Sequence, residues 1–502
     1  MEMPEASSKR SSASSSYLLM AILIATIVRG GILFRSLDSF NADPDAYQRL
    51  ADNLWSFGVF GSGKTPTSFR PPLYPASLSA LIYLRSSADR PDSKPSDQTT
   101  QKTNSKWQNY FDAKLALSKN AAIALWHWLL GVAAVALAFA LAVNLGLSKK
   151  LACLASLLVA VDPILLGQSR LVMTETMAAF FAVLCLLAAA LAVKRRNVSN
   201  AAFAYLTLGL LLGLATLCRP TFFAFAALVG LNLLVVEFVN RKKRPILRLA
   251  ALLCGLALVV APWTARNYRV FNRPIATTTH DGYTLMLANN PELYRHYQTA
   301  DPFALWDPAA FHKRTESEYA RALQDAQIAP GSTNAELFQN EWTRAQAVVA
   351  IQKEPHAFLF SCLVRACELW RVAPHDVDPT NAASARSASP QSSAKIDAFK
   401  HLRFGIGAFY IVELTLAFVG ALKLWFARRK AKRADPSLQC ACLSPWIWGF
   451  LLVISVQIPH LFFWTNMRMR APLEVFIPIV AVFVFAKSAR QIEEPAPEES
   501  VA

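Results

Sequence analysis

The chain has 502 residues, of which 54% are hydrophobic and only 17% charged. A soluble domain carries about 25% charged residues, so these figures, with a mean hydropathy of +0.29, exclude an ordinary soluble protein, a disordered chain and a coiled coil. Eight cysteines in this length exclude a disulfide scaffold, and the net charge of +17, which in a soluble chain would suggest nucleic acid, is placed instead as an orientation signal.

A bilayer crossing needs about 20 mostly apolar residues. Runs of that kind lie at residues 17–34, 121–145, 151–166, 174–193, 201–218, 221–239, 247–263, 404–426, 444–464 and 472–486. The expected fold class is therefore an all-α polytopic membrane protein, a bundle of about ten transmembrane helices with extracytoplasmic loops. Residues 356–370 are too short and too charged to cross, and are expected as a helix on the membrane surface. No repeat of one half by the other is evident.

Numbering the loops from a cytoplasmic N-terminus puts every basic cluster on one side. These clusters are Lys9-Arg10, Lys149-Lys150, Lys194-Arg195-Arg196, Arg241-Lys242-Lys243-Arg244, Arg428-Arg429-Lys430 with Lys432-Arg433, and Lys487 with Arg490. The resulting organisation is a cytoplasmic tail (1–16), a first span (17–34), a first extracytoplasmic loop (35–120), spans two to seven (121–263), a large extracytoplasmic loop (264–403), spans eight to ten (404–486) and a second cytoplasmic tail (487–502). The N-terminal run is expected to be retained as a span, because Arg29-Gly30-Gly31 follows it rather than a small-residue cleavage site. Residues 85–106 and 381–395, rich in Ser, Ala and charged residues, read as solvated linkers.

In the first loop, Asp43-Pro44-Asp45-Ala46-Tyr47 reads as a helix start, with Asp43 as N-cap and Pro44 at the first helical position. Next comes Gly58-Val-Phe-Gly-Ser-Gly63-Lys64-Thr65, which matches a nucleotide-binding phosphate loop. That motif works only between a strand and a helix, and helical periodicity before it with Pro66, Pro71 and Pro72 after it point to a Gly-rich turn instead. Downstream, Ser68-Phe69-Arg70-Pro71-Pro72-Leu73-Tyr74-Pro75 stiffens the chain next to Arg70.

The remaining polar residues that membrane physics does not explain sit in the short outer turns: Asp162, Arg170 and Glu175, then Arg219-Pro220, then Arg468 and Arg470. The basic residues of these turns are all arginine, whose planar fork suits phosphate oxygens. Cys362 and Cys367, five apart on one helix, are poorly placed for a disulfide. His280-Asp281 is a candidate for acceptor binding, whereas His375, Asp376 and Asp378 read as loop residues; no metal site is expected from ligand spacing.

These motifs, in this order, resemble bacterial membrane glycosyltransferases of family 39, the group that contains protein O-mannosyltransferases and, close by, the lipid A aminoarabinose transferase. The resemblance is carried by Asp43, Tyr47 and Ala51 with Asn53-Leu54 and Gly58; by Arg70-Pro71-Pro72-Leu73-Tyr74-Pro75; by Thr174-Glu175; by Gly213-Leu214-Ala215-Thr216-Leu217-Cys218-Arg219-Pro220; by Pro262-Trp263-Thr264-Ala265-Arg266-Asn267-Tyr268 with Asn289-Asn290-Pro291; and by Arg468-Met469-Arg470-Ala471-Pro472-Leu473-Glu474. It implies a GT-C fold, a polyprenyl-phosphate-linked sugar as donor, and an acceptor that is a glycan, lipid or protein. It also implies that Asp43 is the catalytic acid of the first loop, with Asp45 as the other candidate because Pro44 separates the two, and that Glu175 is a second acid. Arg70, then Arg468 and Arg470, are expected at the donor phosphate, and Tyr47, Tyr74, Arg219, Arg266 and Asn267 at the substrates. No cofactor and no nucleic acid partner are implied. The rival class is a multi-pass transporter or lipid flippase, but such proteins gather charge at mid-membrane, usually in repeated halves.

Overall fold

The computed structural model describes residues 5–88, 119–194, 198–239, 245–375, 390–434 and 444–486. Several expectations fall outside these residues: the polar stretch from residue 89 onward, Arg195-Arg196, residues 241–244, Asp376, Asp378, residues 381–389, and Lys487 with Arg490. The described chain is almost entirely helical, with a single two-stranded hairpin, and it is a multi-pass membrane protein.

Among the described residues, six helices are long and apolar enough to cross a bilayer: Ser16–Arg35, Lys119–Asn144, Glu175–Val193, Asn200–Cys218, Ile246–Phe271 and Lys400–Lys430. The expected count of ten is not reproduced. Thr221–Val235 and Trp446–Phe462 are shorter apolar helices. The expected span at 151–166 is broken into Lys149–Val161 and Pro163–Ser169, bent by 45°. The break lies at Asp162-Pro163: proline has no amide to continue the ladder, and the Asp162 carboxylate caps the new helix by accepting from Leu165 N at 2.7 Å. The last expected span, 472–486, is not one helix. It runs as the 3₁₀ helix Met467–Leu473, the short α-helix Ile477–Val482 and a further 3₁₀ turn, nearly all of it buried.

Close packing is set by small residues, as expected where helices meet without water. A Cβ on Gly209 would lie 2.1 Å from the Leu252 carbonyl oxygen, and one on Gly255 would lie 2.2 Å from that of Leu206. This pair locks the helix Val198–Cys218 against Pro245–Phe271. Gly420 likewise lets the long helix Pro390–Ala434 approach the backbone at Val480. Residues 390–395, expected in a linker, form the start of that long helix. The surface-helix expectation at 356–370 corresponds to Pro355–Leu369, which turns by 109° from Thr333–Lys353 before it.

The phosphate-loop look-alike is a hairpin. Gly61–Ser62 pairs antiparallel with Thr65–Pro66, and Gly63 sits at φ 56°, where glycine is favoured. Asn53 clamps the turn through Val59 O at 2.8 Å, Gly63 O at 3.0 Å and Gly63 N at 2.6 Å. No helix follows it until Leu73–Ala88, so the amide cradle of a phosphate loop is not built.

Candidate functional site

The polar residues of the first loop are positioned by one left-handed residue. Ala46 takes φ 61°, and the helix Tyr47–Phe57 begins after it rather than at Pro44 as expected. Asp43 still caps that helix, but from four residues upstream, accepting from Gln48 N at 3.1 Å and Arg49 N at 3.0 Å. Each carboxylate oxygen thereby keeps lone-pair capacity. Asp45 is free of this cap and pairs with Arg70, Nη2 to Oδ1 at 2.7 Å, while Arg70 Nε also donates to the Asp45 carbonyl at 3.2 Å. The Arg70 guanidinium lies 5.6 Å from the ring of Tyr47 and 4.9 Å from that of Phe69.

Tyr47 and Tyr74 meet edge to face, centroids 5.3 Å apart. Tyr74 shares a 2.8 Å hydrogen bond with His127 Nε2, and His127 Nδ1 lies 2.7 Å from the Ser169 carbonyl oxygen. A carbonyl only accepts, so Nδ1 carries the proton and Nε2 accepts from the phenol. Burial raises both phenols well above their ordinary range. Asp45 and Glu175 push Tyr47 the same way, against Arg70 and Arg219; Tyr47, Glu175, Cys218 and Asp43 do so at Tyr74. The two rings therefore feel Asp43, Asp45, Arg70, Glu175 and Arg219 together, from the first loop and two helix ends.

Glu175 opens the helix Glu175–Val193 and is 2% exposed. It stands 3.4 Å from Arg219 Nη1 and 3.8 Å from Arg468 Nε, close enough for charge pairing. None of Glu175 Oε2, Arg219 Nη1 and Arg468 Nε has a hydrogen-bond partner, although all are buried. Two of the other guanidinium nitrogens rest on thioethers: Arg468 Nη1 on Met173 Sδ at 3.0 Å, and Arg219 Nη2 on Met469 Sδ. Thioether sulfur is a weak acceptor. Spare donors beside a buried acid are what a polar ligand would satisfy.

Other expected site residues are engaged elsewhere. Arg470 is fully buried, tied through Nε to Glu474, with Nη1 3.1 Å from the carbonyls of Leu369 and Arg371 and its guanidinium 4.6 Å from the Tyr410 ring. It was expected at the donor phosphate with Arg70 and Arg468, and its present partners are Glu474 and these carbonyls rather than Glu175. Arg266 donates to Thr67 O at 2.9 Å and Phe60 O at 3.0 Å and stacks on Trp263, so it holds the hairpin to a helix end. Asn267 is buried and donates to Ile275 O at 2.9 Å. Both, expected at the substrates, are engaged with backbone carbonyls in this structure. Arg170 is exposed.

Two residues of the large loop were not singled out for what they do. Glu336 accepts from Ser68 N at 2.8 Å, from Thr67 Oγ1 at 2.6 Å and from Thr279 Oγ1, tying the strand before Arg70 to the large loop. Its position in a helix rich in ordinary surface residues gave no signal. His280 was a candidate for acceptor binding; it packs edge-on to Phe69 at 4.2 Å and stacks on Tyr283 at 5.3 Å. Burial, then the Arg70 charge, lowers its pKa to about 3, and its Nδ1 has no hydrogen-bond partner. Its neighbour Asp281 is taken by Arg344 at 2.5 Å and Asn340 at 2.9 Å.

A family model described as dolichyl-phosphate-mannose-protein mannosyltransferase matches residues 97–271. The resemblance to membrane glycosyltransferases is thus borne out over that stretch, which includes Glu175 and Arg219 but not the first-loop acids or Arg70. No curated protein matches by sequence. Among solved structures, the chain is similar to the oligosaccharyltransferase AglB of Archaeoglobus fulgidus in complex with an inhibitory peptide and a dolichol-phosphate (TM-score 0.48, 15% identity, 94% of this chain and 50% of that one). It is also similar to ArnT of Cupriavidus metallidurans bound to undecaprenyl phosphate (TM-score 0.38, 13% identity, 94% of this chain and 78% of that one). The chain spans about half the length of the archaeal protein.

Proposed function

We propose that this chain is a membrane glycosyltransferase that moves a sugar from a polyprenyl-phosphate donor to an acceptor hydroxyl or lipid phosphate. The reaction lies on the extracytoplasmic side of a bacterial inner membrane, with both termini in the cytoplasm. The observation that carries this reading is that two first-loop acids, Arg70, Glu175 and Arg219 gather around Tyr47 and Tyr74, with Arg468 beside Glu175 and buried polar atoms of Glu175, Arg219 and Arg468 left without partners. The family model's description supports the donor class.

In this scheme Asp43 takes the proton of the attacking hydroxyl, a form of catalysis that supplies about 10²–10⁴-fold. The amides of Gln48 and Arg49 fix the direction of its carboxylate. Arg70, held by Asp45, and Arg468 with Arg219 face the leaving phosphate. A guanidinium about 4 Å from a phosphate charge gains roughly 4 kcal/mol at an effective dielectric of 20, before desolvation. The large loop, tied in through Glu336 and His280, borders the acceptor side.

The test is transfer of labelled sugar from polyprenyl phosphate in membranes containing the chain. Asp43→Asn is expected to abolish transfer while donor binding survives. Full activity in that variant with Asp45→Asn inactive would move the base to Asp45. Movement of intact donor across vesicles without any transfer would replace the enzyme by a flippase.

A further inference from the structure

A second acidic group lies inside the bundle, apart from the residues of the proposed reaction. Asp162 comes from the break between Lys149–Val161 and Pro163–Ser169, Glu413 from the long helix Pro390–Ala434, and Glu474 from the end of the 3₁₀ helix Met467–Leu473. Each offers one carboxylate oxygen, and these oxygens lie within 4.8 Å of one another. All three residues are buried: Asp162 and Glu474 are 0% exposed and Glu413 is 3% exposed.

The hydrogen bonding of the group is incomplete. Glu413 has no partner on either carboxylate oxygen, and Glu474 has none on Oε2. Asp162 is the oriented member: its Oδ2 accepts from Tyr410 Oη at 2.9 Å, and that hydroxyl accepts from Ile164 N at 2.9 Å. The charge is also uncompensated. Arg470 pairs with Glu474, and Arg29, also buried, faces Asp162 from the first helix. Three carboxylates against one guanidinium leave two negative charges, and against both they leave one. Leaving such charge bare in a bundle interior is costly.

We propose that Asp162, Glu413 and Glu474 together bind one hard divalent cation, of the magnesium, manganese or calcium class. Oxygen-only ligands select such ions over zinc or copper. Ligand oxygens about 2.1–2.4 Å from a shared ion lie at most roughly 4.8 Å apart, and the three oxygens here fall within that limit. The competing solution is protonation of Glu413, whose proton would bond an oxygen of Asp162 or Glu474, and metal analysis with the infrared carboxylic-acid band separates the two. The Tyr410–Asp162 contact then serves as the outer support that fixes a metal-bound carboxylate. The ion ties the broken span, the long helix and the last buried segment together.

The test is metal analysis of the full chain purified in detergent without chelator. About one divalent ion per chain is expected, with a melting temperature that a chelator lowers and magnesium, manganese or calcium restores. Glu413→Gln is expected to lose the ion and the chelator response, while Asp43→Asn keeps both. A metal-free wild-type chain indifferent to chelator, with an infrared carboxylic-acid band that Glu413→Gln removes, would overturn the site. So would an ion lost in Asp43→Asn but kept in Glu413→Gln. Should Glu413→Gln fail to fold, the wild-type stoichiometry and chelator response decide alone.

Discussion

Arg468 and Arg470 are two residues apart, yet they belong to regions built on opposite terms. Arg468, with its side chain 31% exposed, stands beside Glu175 with Nε unpartnered and only a thioether on Nη1. Arg470, 0% exposed, is held by Glu474, two backbone carbonyls and two aromatic rings. Both lie in the 3₁₀ helix Met467–Leu473, where successive residues turn by about 120° and residues two apart leave on different faces. One face meets the loops and the other meets the bundle interior. Access, rather than charge, divides the two regions: the Arg468 side chain reaches solvent, whereas that of Arg470 is enclosed.

The largest effect should fall on the enclosed region. Glu474→Ala leaves the Arg470 guanidinium buried without its carboxylate, and breaking a buried pair costs about 3–5 kcal/mol. The variant should accumulate poorly and unfold early in a detergent thermal melt. Arg468→Ala, by contrast, should melt within about 1 kcal/mol of wild type, as a partly exposed pair allows. If Arg468→Ala unfolds and Glu474→Ala stays folded, the division between the regions is wrong.

Within the open region the effect should move to rate. Glu175→Gln keeps shape and removes the charge that orients both arginines, and loss of one preorganised electrostatic group costs about 10²–10³-fold. Transfer should fall by that order when it is measured below the variant's own melting temperature, which the loss of a buried charge pair lowers. Arg219→Lys should also impair transfer, because an ammonium cannot supply the planar fork. A next step down is Glu336→Gln, which weakens a carboxylate that accepts three hydrogen bonds between the loops. Hydrogen bonds to a charged group contribute about 1.5–3 kcal/mol each, but the amide retains part of them. The expected outcome is faster proteolysis of the first loop, with transfer reduced less than in Glu175→Gln.

The contrast also explains what could be read from the chain beforehand. Apolar runs and the clustering of Lys and Arg made the all-helical membrane class legible, and the all-arginine turns drew attention to Glu175, Arg219 and Arg468. The same reasoning treated Arg468 and Arg470 alike, because sequence spacing carries no face when the local helix is 3₁₀ rather than α. Asp43 was read as an N-cap from its neighbour Pro44; the true helix start depends on Ala46 at φ 61°, a conformation that alanine seldom adopts and that no residue type announced. Arg266 and Asn267 were expected at the substrates from the motif they share with the resembled family; their backbone partners lie about two hundred residues away in one case and eight in the other, which only the fold reveals. Glu413 lies within the apolar run at 404–426, and its companions come from distant segments that only the fold assembles.

The smallest effect concerns protons at the rim of the open region. His280 in the folded chain takes up a proton only near pH 3, against an ordinary value of 6.5, because burial and the Arg70 charge both oppose it. The unfolded chain binds that proton near 6.5, so between the two values the unfolded state holds more protons. Stability from this group is therefore full above pH 6.5 and declines as pH falls toward 3. Between pH 6.5 and 5 the decline is at most about 2 kcal/mol. His280→Phe keeps the edge contact with Phe69 and the stacking on Tyr283 but cannot titrate, so its melting temperature should fall less than that of wild type over this range. An imidazole that titrates near its ordinary value by NMR, with identical acid limbs in both proteins, would mean that water reaches the ring and that the open region extends past Arg70 into the large loop.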